Sequence, residues 1–597
     1  MALFAAFVFT FLVPGLTVLR FFRLKSHEVM AFVPIFSVMT STFLIYYLSL
    51  LFGYSREAIL GSFIILTAAY AIVNSPSKEK SHFRDFWKIK DLDRKGLSVF
   101  LFVFILSLIV LCKSVWFESE SGIVITGSNW QDTPLHYEII ESINAGNFPP
   151  EMPYYSGVEM SYHYFIDFHT AILEKVYGFM PKLLPISNAI FILVFALSVY
   201  SLAKANGERE ALFSTILATF GWGFSYFILL SALLTGEFNP ASNYTYQYNG
   251  FFGLPPIFDN LLQQRPLLMG LPAFAFVLNL LRDLENRGRM VLAGIITGLL
   301  FPFHIISFLC CFVAYFIMII LNLKDLKPHY SYFLVSIIIA SPFVLSASHA
   351  ASLASFVEFG FFSFLKENPV AYYLANLGIP FLVSLIFLRK VEGKLLKGVL
   401  LALFLTPNII AFTPNPWDMY KFFNFTWIPI SVLSGTALAR IRKDVAMLLL
   451  LLSILASASV IVYNVSTNYI AASWDEFNAG IWIRNNTEEK AVFLTYYSIH
   501  SPPTMIGGRL RVLSYLNWPY GHGIELNEIW NRMRDVDSAY TGTVADLEMV
   551  IKKYDIKYIY VGEEESENYP KCIEKFDNIE WLKLVYNERL KIYKIIK

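Results

Sequence analysis

The sequence predicts an all-α polytopic membrane domain of about fourteen transmembrane helices, followed by a small α/β extracytoplasmic domain. Of its 597 residues, 56% are hydrophobic, 17% are aromatic and 16% are charged, whereas a soluble domain carries about 25% charged residues. The apolar residues come in long runs rather than on alternating faces, which excludes disorder and a single soluble globule. Residues 464–597 return to a soluble balance, with 16 Lys or Arg and 19 Asp or Glu.

The apolar runs define the predicted spans. A bilayer core of about 30 Å needs roughly 20 apolar residues per helix. We assign spans at 3–20, 29–53, 57–74, 97–114, 183–203, 211–234, 267–282, 290–302, 305–322, 331–347, 371–389, 396–412, 425–440 and 444–463.

Lys and Arg set the predicted orientation, because they concentrate on the cytoplasmic side of a membrane. One set of alternate connections holds 24 of them, and the opposite set holds few, among them Arg56, Arg265, Lys366 and Lys421. We therefore expect a multi-pass protein of the plasma membrane with its N-terminus and its C-terminal domain outside. The formal net charge of +1 gives no basic field that attracts nucleic acid.

Three regions follow from this frame. Residues 1–96 hold the first helices and a basic cytoplasmic loop, 97–463 form the main transmembrane domain, and 464–597 form the outer domain. The main domain carries two long outer loops, 115–182 and 235–266. In the tail we predict helices at 475–486, 525–537 and 543–554. We predict strands at Ala491–Thr495, Leu510–Ser514, Ile556–Val561, Leu582–Tyr586 and Leu590–Ile596.

The first outer loop carries the leading catalytic candidates, Asp132 and His136. They are four residues apart, and Pro134 favours the first turn of a helix there. Asp132 is interpreted either as a helix cap or as a general base or metal ligand at the membrane face. The stretch 114–174 has nine acidic residues and no Lys or Arg.

The same loop continues with further candidates for an acceptor site. A proline-rich path holds Tyr155, and an amphipathic stretch from 161 to about 181 carries His163 and Asp167. Their i, i+4 spacing places His163 and Asp167 on one helix face. We expect this helix to lie on the outer membrane surface, with His169 as a residue satisfied by a neighbour.

Cationic candidates lie at later outer positions. Arg265 stands at the mouth of a span, either as a snorkelling anchor or as a phosphate ligand. His304 follows Pro302 between two apolar runs, either as a satisfied helix break or as a functional residue. Asp418 and Lys421 are three apart, and they either pair with each other or leave Lys421 as a second phosphate ligand.

Carboxylates facing cations at one membrane level suit a lipid phosphate and a general base. The order of a span, an outer loop opening with an Asp, many short spans and an outer α/β tail resembles the GT-C superfamily of membrane glycosyltransferases. Local strings resemble a family of uncharacterised prokaryotic multi-spanning membrane proteins. These strings are Gly127–His136, Asn147–Gly157, Tyr162–Leu173, Gln264–Gly270, Gly298–His304, Asp418–Lys421, Gly508–Arg509 and Gly521–Gly523.

The resemblance implies an inverting transfer of sugar from a polyprenyl-phosphate donor, with Asp132 at the position of the catalytic aspartate. It implies Arg265, His304 and Lys421 as residues facing the donor phosphate, and a prokaryotic, archaeal cell envelope as the setting. No Asp-x-Asp or Glu-x-Asp pair follows Asp132, so a divalent metal is possible in principle but not indicated. The oligosaccharyltransferase Trp-Trp-Asp-Tyr-Gly string is missing from the tail.

We therefore expect a membrane glycosyltransferase that uses membrane lipid as donor carrier and an acceptor that is a protein, lipid or glycan. Two alternatives stay open. A lipid-linked glycan transporter or flippase would carry ionisable residues at mid-membrane, and a non-catalytic membrane assembly protein would use the clusters structurally.

Overall fold

The computed structural model describes residues 2–75, 94–245, 247–248, 251–252, 254–283, 286–323, 329–350, 358–359, 368–412 and 416–597. Most of the predicted basic loop, 76–93, and Lys366 lie outside the described residues. All statements below concern the described ranges.

Helices occupy every predicted apolar segment, because uninterrupted apolar runs favour a backbone that satisfies its own hydrogen bonds. Their bounds are Ala2–Phe11, Val13–Val18, Ser26–Phe52, Arg56–Val73, Arg94–Ser114, Leu183–Ala203, Glu208–Phe220, Tyr226–Thr235, Arg265–Leu280, Arg287–Leu300, Ile305–Leu321, His329–Ala350, Pro369–Ile386, Lys394–Ile409, Pro416–Ala439 and Lys443–Ser466.

Two predicted spans are broken. The segment 3–20 bends by 41° between its two helices, where Pro14 starts the second helix without an N–H to donate. The segment 211–234 splits after Phe220. There the backbone N–H of Trp222 donates to the Ser453 carbonyl at 2.8 Å, and that of Phe224 donates to the Ala375 carbonyl at 2.6 Å. Hydrogen bonds to neighbouring helices thus replace the intrahelical bonds.

The chain is a multi-pass membrane protein. Among the described residues, seven helices are long and apolar enough to cross a membrane, or eight if the bent pair forms one span. Arg265–Leu280 and Ile305–Leu321 belong to a set of shorter apolar helices. The count of fourteen spans and the orientation of the termini stay predictions.

Polar contacts gather at two opposite ends of this helical region. At one end Arg289 forms a buried ion pair with Glu28 at 2.7 Å, and Asn279 donates to the same carboxylate at 3.0 Å. At the other end lie the last residues of Arg94–Ser114 and Lys443–Ser466 together with the outer loops. The candidate site is at this second end.

The tail contains a mixed five-stranded sheet. In spatial order its strands are Leu582–Asn587, Lys591–Ile595, Ile556–Val561, Val492–Leu494 and Leu510–Arg511. The last three are parallel, and the first two join antiparallel. The tail helices are Trp474–Asn486, Pro502–Met505, Asn517–Gly521, Leu526–Thr541, Val544–Tyr554, Glu563–Asn568 and Cys572–Asp577. Every predicted strand and helix has a counterpart, while the three domain boundaries stay predictions.

A three-stranded antiparallel sheet joins the first outer loop to the tail. Its strands are Phe117–Ser119, Gly122–Val124 and Ile470–Ser473, with the second in the middle. The tail therefore begins by pairing with the loop that carries Asp132.

The first outer loop contains two helices, which we name the first loop helix (Asp132–Asn144) and the second loop helix (Phe165–Tyr177). The expectation that the second lies on the membrane surface is wrong. It begins only at Phe165 and is buried continuously to Glu174, because the first loop helix and neighbouring helices, Ala2–Phe11 among them, pack around it. His163 precedes this helix, so His163 and Asp167 do not share a helix face.

Candidate functional site

Asp132 is held in place by the ends of two long helices. The Ser128 backbone N–H donates to Asn464 at 3.0 Å, and Asn129 donates to the Ser114 hydroxyl at 2.9 Å. These bonds fix the turn Gly127–Asn129 from which the first loop helix starts. Asp132 is the first residue of that helix, whereas the capping position belongs to Gln131 and has no side-chain cap. Asp132 is therefore not committed to the capping role.

The Asp132 carboxylate is half-buried and reaches the protein surface. The side-chain amide of Gln264 donates to its Oδ2 atom. Burial first, and the Asp132 charge to a smaller extent, raise the pKa of Tyr515 in the tail. The carboxylate thus lies between the start of the helix Arg265–Leu280 and a loop of the tail.

A buried row of charges runs behind Asp132. The Nδ1 atom of His136 donates to Asp167 Oδ2 at 3.0 Å, and Arg265 Nε lies 2.7 Å from Asp167 Oδ1. All three side chains are at most 3% exposed. Because Asp167 fixes the proton of His136 on Nδ1, the Nε2 atom is left as the acceptor.

Each nitrogen of the Arg265 guanidinium lies against a protein partner. NH1 donates to Asn188 at 2.8 Å, and NH2 donates to the Ile166 carbonyl and to Thr170 at 2.8 and 2.9 Å. Because Nε faces Asp167 and the residue is only 1% exposed, Arg265 is not a snorkelling anchor. This arrangement does not support the expected role of Arg265 as a donor ligand.

Beside Asp132, histidines from three separate parts of the chain meet. The His163 and His304 rings lie 5.0 Å apart, and the Tyr162 ring lies 4.2 Å from both His163 and His522. We name His136, His163, His304 and His522 the histidine cluster. His163 and His522 are half-buried, while His304 is 1% exposed.

Burial disfavours a positive charge on His163 and His522. Burial, together with His304, Lys421, His522 and His136, lowers the pKa of His163 well below its usual range. Burial, Lys421 and His136 lower the pKa of His522 to about 3. The positive charge of Lys421 opposes protonation of these imidazoles. The same charge attracts an anion that binds beside them.

Lys421 and His304 come from different helix starts. Lys421 is half-buried in the first turns of Pro416–Ala439. His304 Nδ1 is hydrogen-bonded to Ser307 at 2.6 Å. Gly270 lets the helix Arg265–Leu280 approach His304 and Ser307 closely, because a Cβ atom at position 270 would collide with both side chains. Asp418 lies in the same first turn as Lys421, and its side chain is outside the described residues.

Two sequence candidates lie outside this group. Tyr155 is buried under the Arg532 guanidinium, 3.4 Å from its ring centre, and thus serves the contact between loop and tail. His169 is buried against Phe11 at 5.0 Å, and both of its ring nitrogens lack hydrogen-bond partners. Burial lowers its pKa to about 3. The expectation that a neighbour satisfies His169 is wrong.

The tail docks on the first loop helix through buried ion pairs. Arg511 NH2 binds Glu138 Oε1 at 2.6 Å with both side chains fully buried, and Arg484 binds Glu141. The hydroxyl of Tyr154 and His522 Nδ1 are hydrogen-bonded at 2.7 Å. The tail is therefore part of the site.

The described residues include no group of three or more His, Cys, Asp or Glu side chains arranged to hold a metal ion. The site offers a carboxylate, imidazoles and an ammonium group. It can accept a proton from a hydroxyl and hold an anion.

Sequence reasoning missed Gln264 and His522 as site residues. Gln264 precedes Arg265 directly, and His522 lies between Gly521 and Gly523 in a tail loop. Their positions, beside Arg265 and between two glycines, were the available signals in the sequence. A glutamine or a histidine alone does not indicate a site.

Comparisons with known proteins give structural matches only. No family model and no curated protein matches the sequence. The chain is similar to ArnT from Cupriavidus metallidurans, solved bound to undecaprenyl phosphate, with a TM-score of 0.49 and 11% identity over 84% of this chain and 98% of that one. The apo structure of the same protein gives 0.49 and 10%, over 84% and 97%. At this identity and TM-score the matches establish no shared activity.

Proposed function

We propose that the protein is a membrane glycosyltransferase of the inverting GT-C type that takes a sugar from a polyprenyl-phosphate donor at the outer face of the membrane. One observation carries this proposal. Asp132, a half-buried carboxylate, lies one helical turn before His136, a member of the histidine cluster on which the Lys421 charge acts. A base beside an anion site is what transfer from a lipid phosphate requires.

In the proposed reaction, the acceptor hydroxyl gives its proton to Asp132. Its oxygen bonds to the anomeric carbon from the side opposite the phosphate, which inverts that carbon. The bond between the carbon and the phosphate oxygen breaks, and the electron pair leaves with the lipid phosphate. Gln264 orients the carboxylate by donating to its Oδ2 atom.

His136 is the alternative base. Its hydrogen bond to Asp167 resembles the arrangement that orients a catalytic imidazole, and it lies one helical turn from Asp132. We propose that Arg265 fixes Asp167 and thereby His136, as a positioning residue. Asp132 is preferred as base because it is half-buried, whereas His136 is 2% exposed.

Lys421, His163 and His304 are the proposed partners of the phosphate. Their charge and N–H groups would stabilise the negative charge that develops on the leaving group. Loss of one such partner costs about 10²–10³ in rate. The tail, which supplies His522 and Tyr515, would cover the site and contact the acceptor.

The test is transfer or hydrolysis by the purified full-length protein with a set of radiolabelled polyprenyl-phosphate sugars, with an undecaprenyl carrier included. Asp132→Asn should abolish product formation while the protein still folds. The matched control is Asp555→Asn on the tail surface, 81% exposed, which should keep full activity.

Three outcomes contradict parts of the proposal. Unimpaired turnover by Asp132→Asn, with loss in His136→Gln, assigns the base to His136. If the protein binds the donor but does not cleave the sugar–phosphate bond with any acceptor supplied, the result supports a transporter. Absence of donor binding leaves only the assembly role.

A further inference from the structure

A small cavity in the tail is lined by polar side chains that the proposed reaction does not use. Its walls include Glu476, His500, Ser501, Tyr560, Glu564 and Glu565. They come from the start of the helix Trp474–Asn486, the segment before Pro502, the end of the strand Ile556–Val561 and the helix Glu563–Asn568.

Three of these side chains have an unused polar atom. Among the described residues, none is a hydrogen-bond partner of His500 Nε2, Ser501 Oγ or Tyr560 Oη. Their side chains are 7%, 3% and 2% exposed. A buried polar atom without a partner costs about 1–3 kcal/mol, so three around one cavity indicate that something binds there.

The cavity also carries excess negative charge. Glu565 accepts hydrogen bonds from the backbone N–H of Tyr496 and Gly562, which hold its charge in place. The charge of Arg511 acts on Glu564, but its guanidinium is bound to Glu138. Burial raises the pKa of Glu476 and of Glu565 to about 7. Carboxylates in such surroundings take up either protons or a cation.

Its size restricts the occupant. The cavity between these side chains is narrow. It has room for about one water-sized group. A bulky sugar or phosphate is excluded, and a phosphate is disfavoured by charge as well.

The protonation of His500 further restricts which chemical group can occupy the cavity. The imidazole is hydrogen-bonded to the backbone of Trp130, and its other nitrogen, Nε2, is the unpartnered one. The proton therefore lies on Nδ1, and Nε2 offers a lone pair. A lone pair on nitrogen, two hydroxyl oxygens and carboxylate oxygens together accept N–H donors.

We propose that this cavity is a binding site for a monocationic ammonium group, either a free ammonium ion or the primary ammonium end of a ligand. The group donates to His500 Nε2 and to the Glu564 carboxylate and offsets the charge of Glu476 and Glu565. The site is independent of the proposed transfer reaction. Because Trp130 lies two residues before Asp132, an occupied cavity also ties the tail to the start of the first loop helix.

The test is thermal unfolding of the full-length protein at about pH 8, where the carboxylates are ionised. Ammonium, methylammonium, potassium and choline chlorides are compared at equal ionic strength. Choline is too large to enter and serves as the reference. We expect ammonium to raise the unfolding temperature by about 2–4 °C at saturation.

Glu564→Gln should remove that rise. The matched control is Glu567→Gln, an exposed residue of the same short helix, which should keep it. If Glu564→Gln fails to fold, Tyr560→Phe replaces it as the test variant. It removes only one hydroxyl group and should weaken the rise in unfolding temperature.

A rise with ammonium and methylammonium but not with potassium supports a ligand amine. A rise with ammonium but not with methylammonium or potassium supports a free ammonium ion, and an equal rise with potassium overturns the selection of an N–H donor. Equal unfolding temperatures in all four salts, or a rise that persists in Glu564→Gln, overturn the proposal and leave a bound water only.

Discussion

The Glu138–Arg511 pair fastens the tail to the helix that carries Asp132, and Arg511→Met tests this directly. Both side chains are fully buried, and Arg511 also donates to the Ser498 carbonyl at 3.0 Å. Met keeps much of the side-chain volume but leaves the Glu138 carboxylate without its partner.

The expected magnitude follows from burial. Breaking one side of a buried ion pair costs about 3–5 kcal/mol, because the remaining charge is uncompensated. Burial already raises the pKa of Glu138 to about 7, against the lowering effect of Arg511. Without Arg511 that pKa rises further, so the loss should be largest at about pH 8 and smaller at about pH 6, where Glu138 takes up a proton.

The assay is unfolding followed by tryptophan fluorescence, with limited proteolysis of the tail as a second readout. Trp518, whose ring centre lies 5.9 Å from the Arg511 guanidinium, reports on the site of change. Arg534→Met, on the exposed surface of the tail, is the control and should change stability by about 0.5 kcal/mol or less.

The double variant Glu138→Gln/Arg511→Met separates charge from packing. It should be more stable than Arg511→Met at about pH 8, since no buried charge remains. A loss under about 1 kcal/mol in the single variant, or a double variant that is no more stable, refutes the reasoning.

Three further predictions concern neighbouring features. A Cβ at Gly508, whose φ is +69°, would lie 2.5 Å from a backbone carbonyl oxygen of the first loop helix, so Gly508→Ala should lower the unfolding temperature while Gly521→Ala, with open space around it, should not. His169 has a pKa of about 3 in the folded protein and about 6.5 when unfolded. Wild-type stability is therefore lost as pH falls from 6.5 towards 3, and His169→Phe should remove about 1.4 kcal/mol of that loss per pH unit in unfolding scans. Gln264→Leu removes the amide that stabilises the Asp132 carboxylate. The acidic limb of the rate profile should move to higher pH, and an unchanged profile contradicts Asp132 as base.

Most of the fold was accessible from the sequence. The apolar runs and the period of the tail segments are local properties, so the helix Arg94–Ser114 and the strand Ile556–Val561 lie where they were predicted. The bend at Pro14 and the break after Phe220 were not predicted, because each depends on contacts with other helices.

The candidate site was accessible only in part. Asp132 and Lys421 were selected by residue type and by position at helix starts, and both are half-buried near the histidine cluster. Arg265 was selected by the same reasoning, yet Asp167, Asn188 and Thr170 occupy its donors. Which partner an arginine takes depends on what folds against it.

The sequence by itself determined which segments are apolar enough to become helices and which polar residues stand at helix ends, since these depend on residues close together in the chain. Only the tertiary structure decided which polar groups meet. Gln264 reaches Asp132 across 132 positions, and Arg511 reaches Glu138 across 373. Such contacts depend on how distant helix ends and the tail pack, and local composition carries no record of that packing.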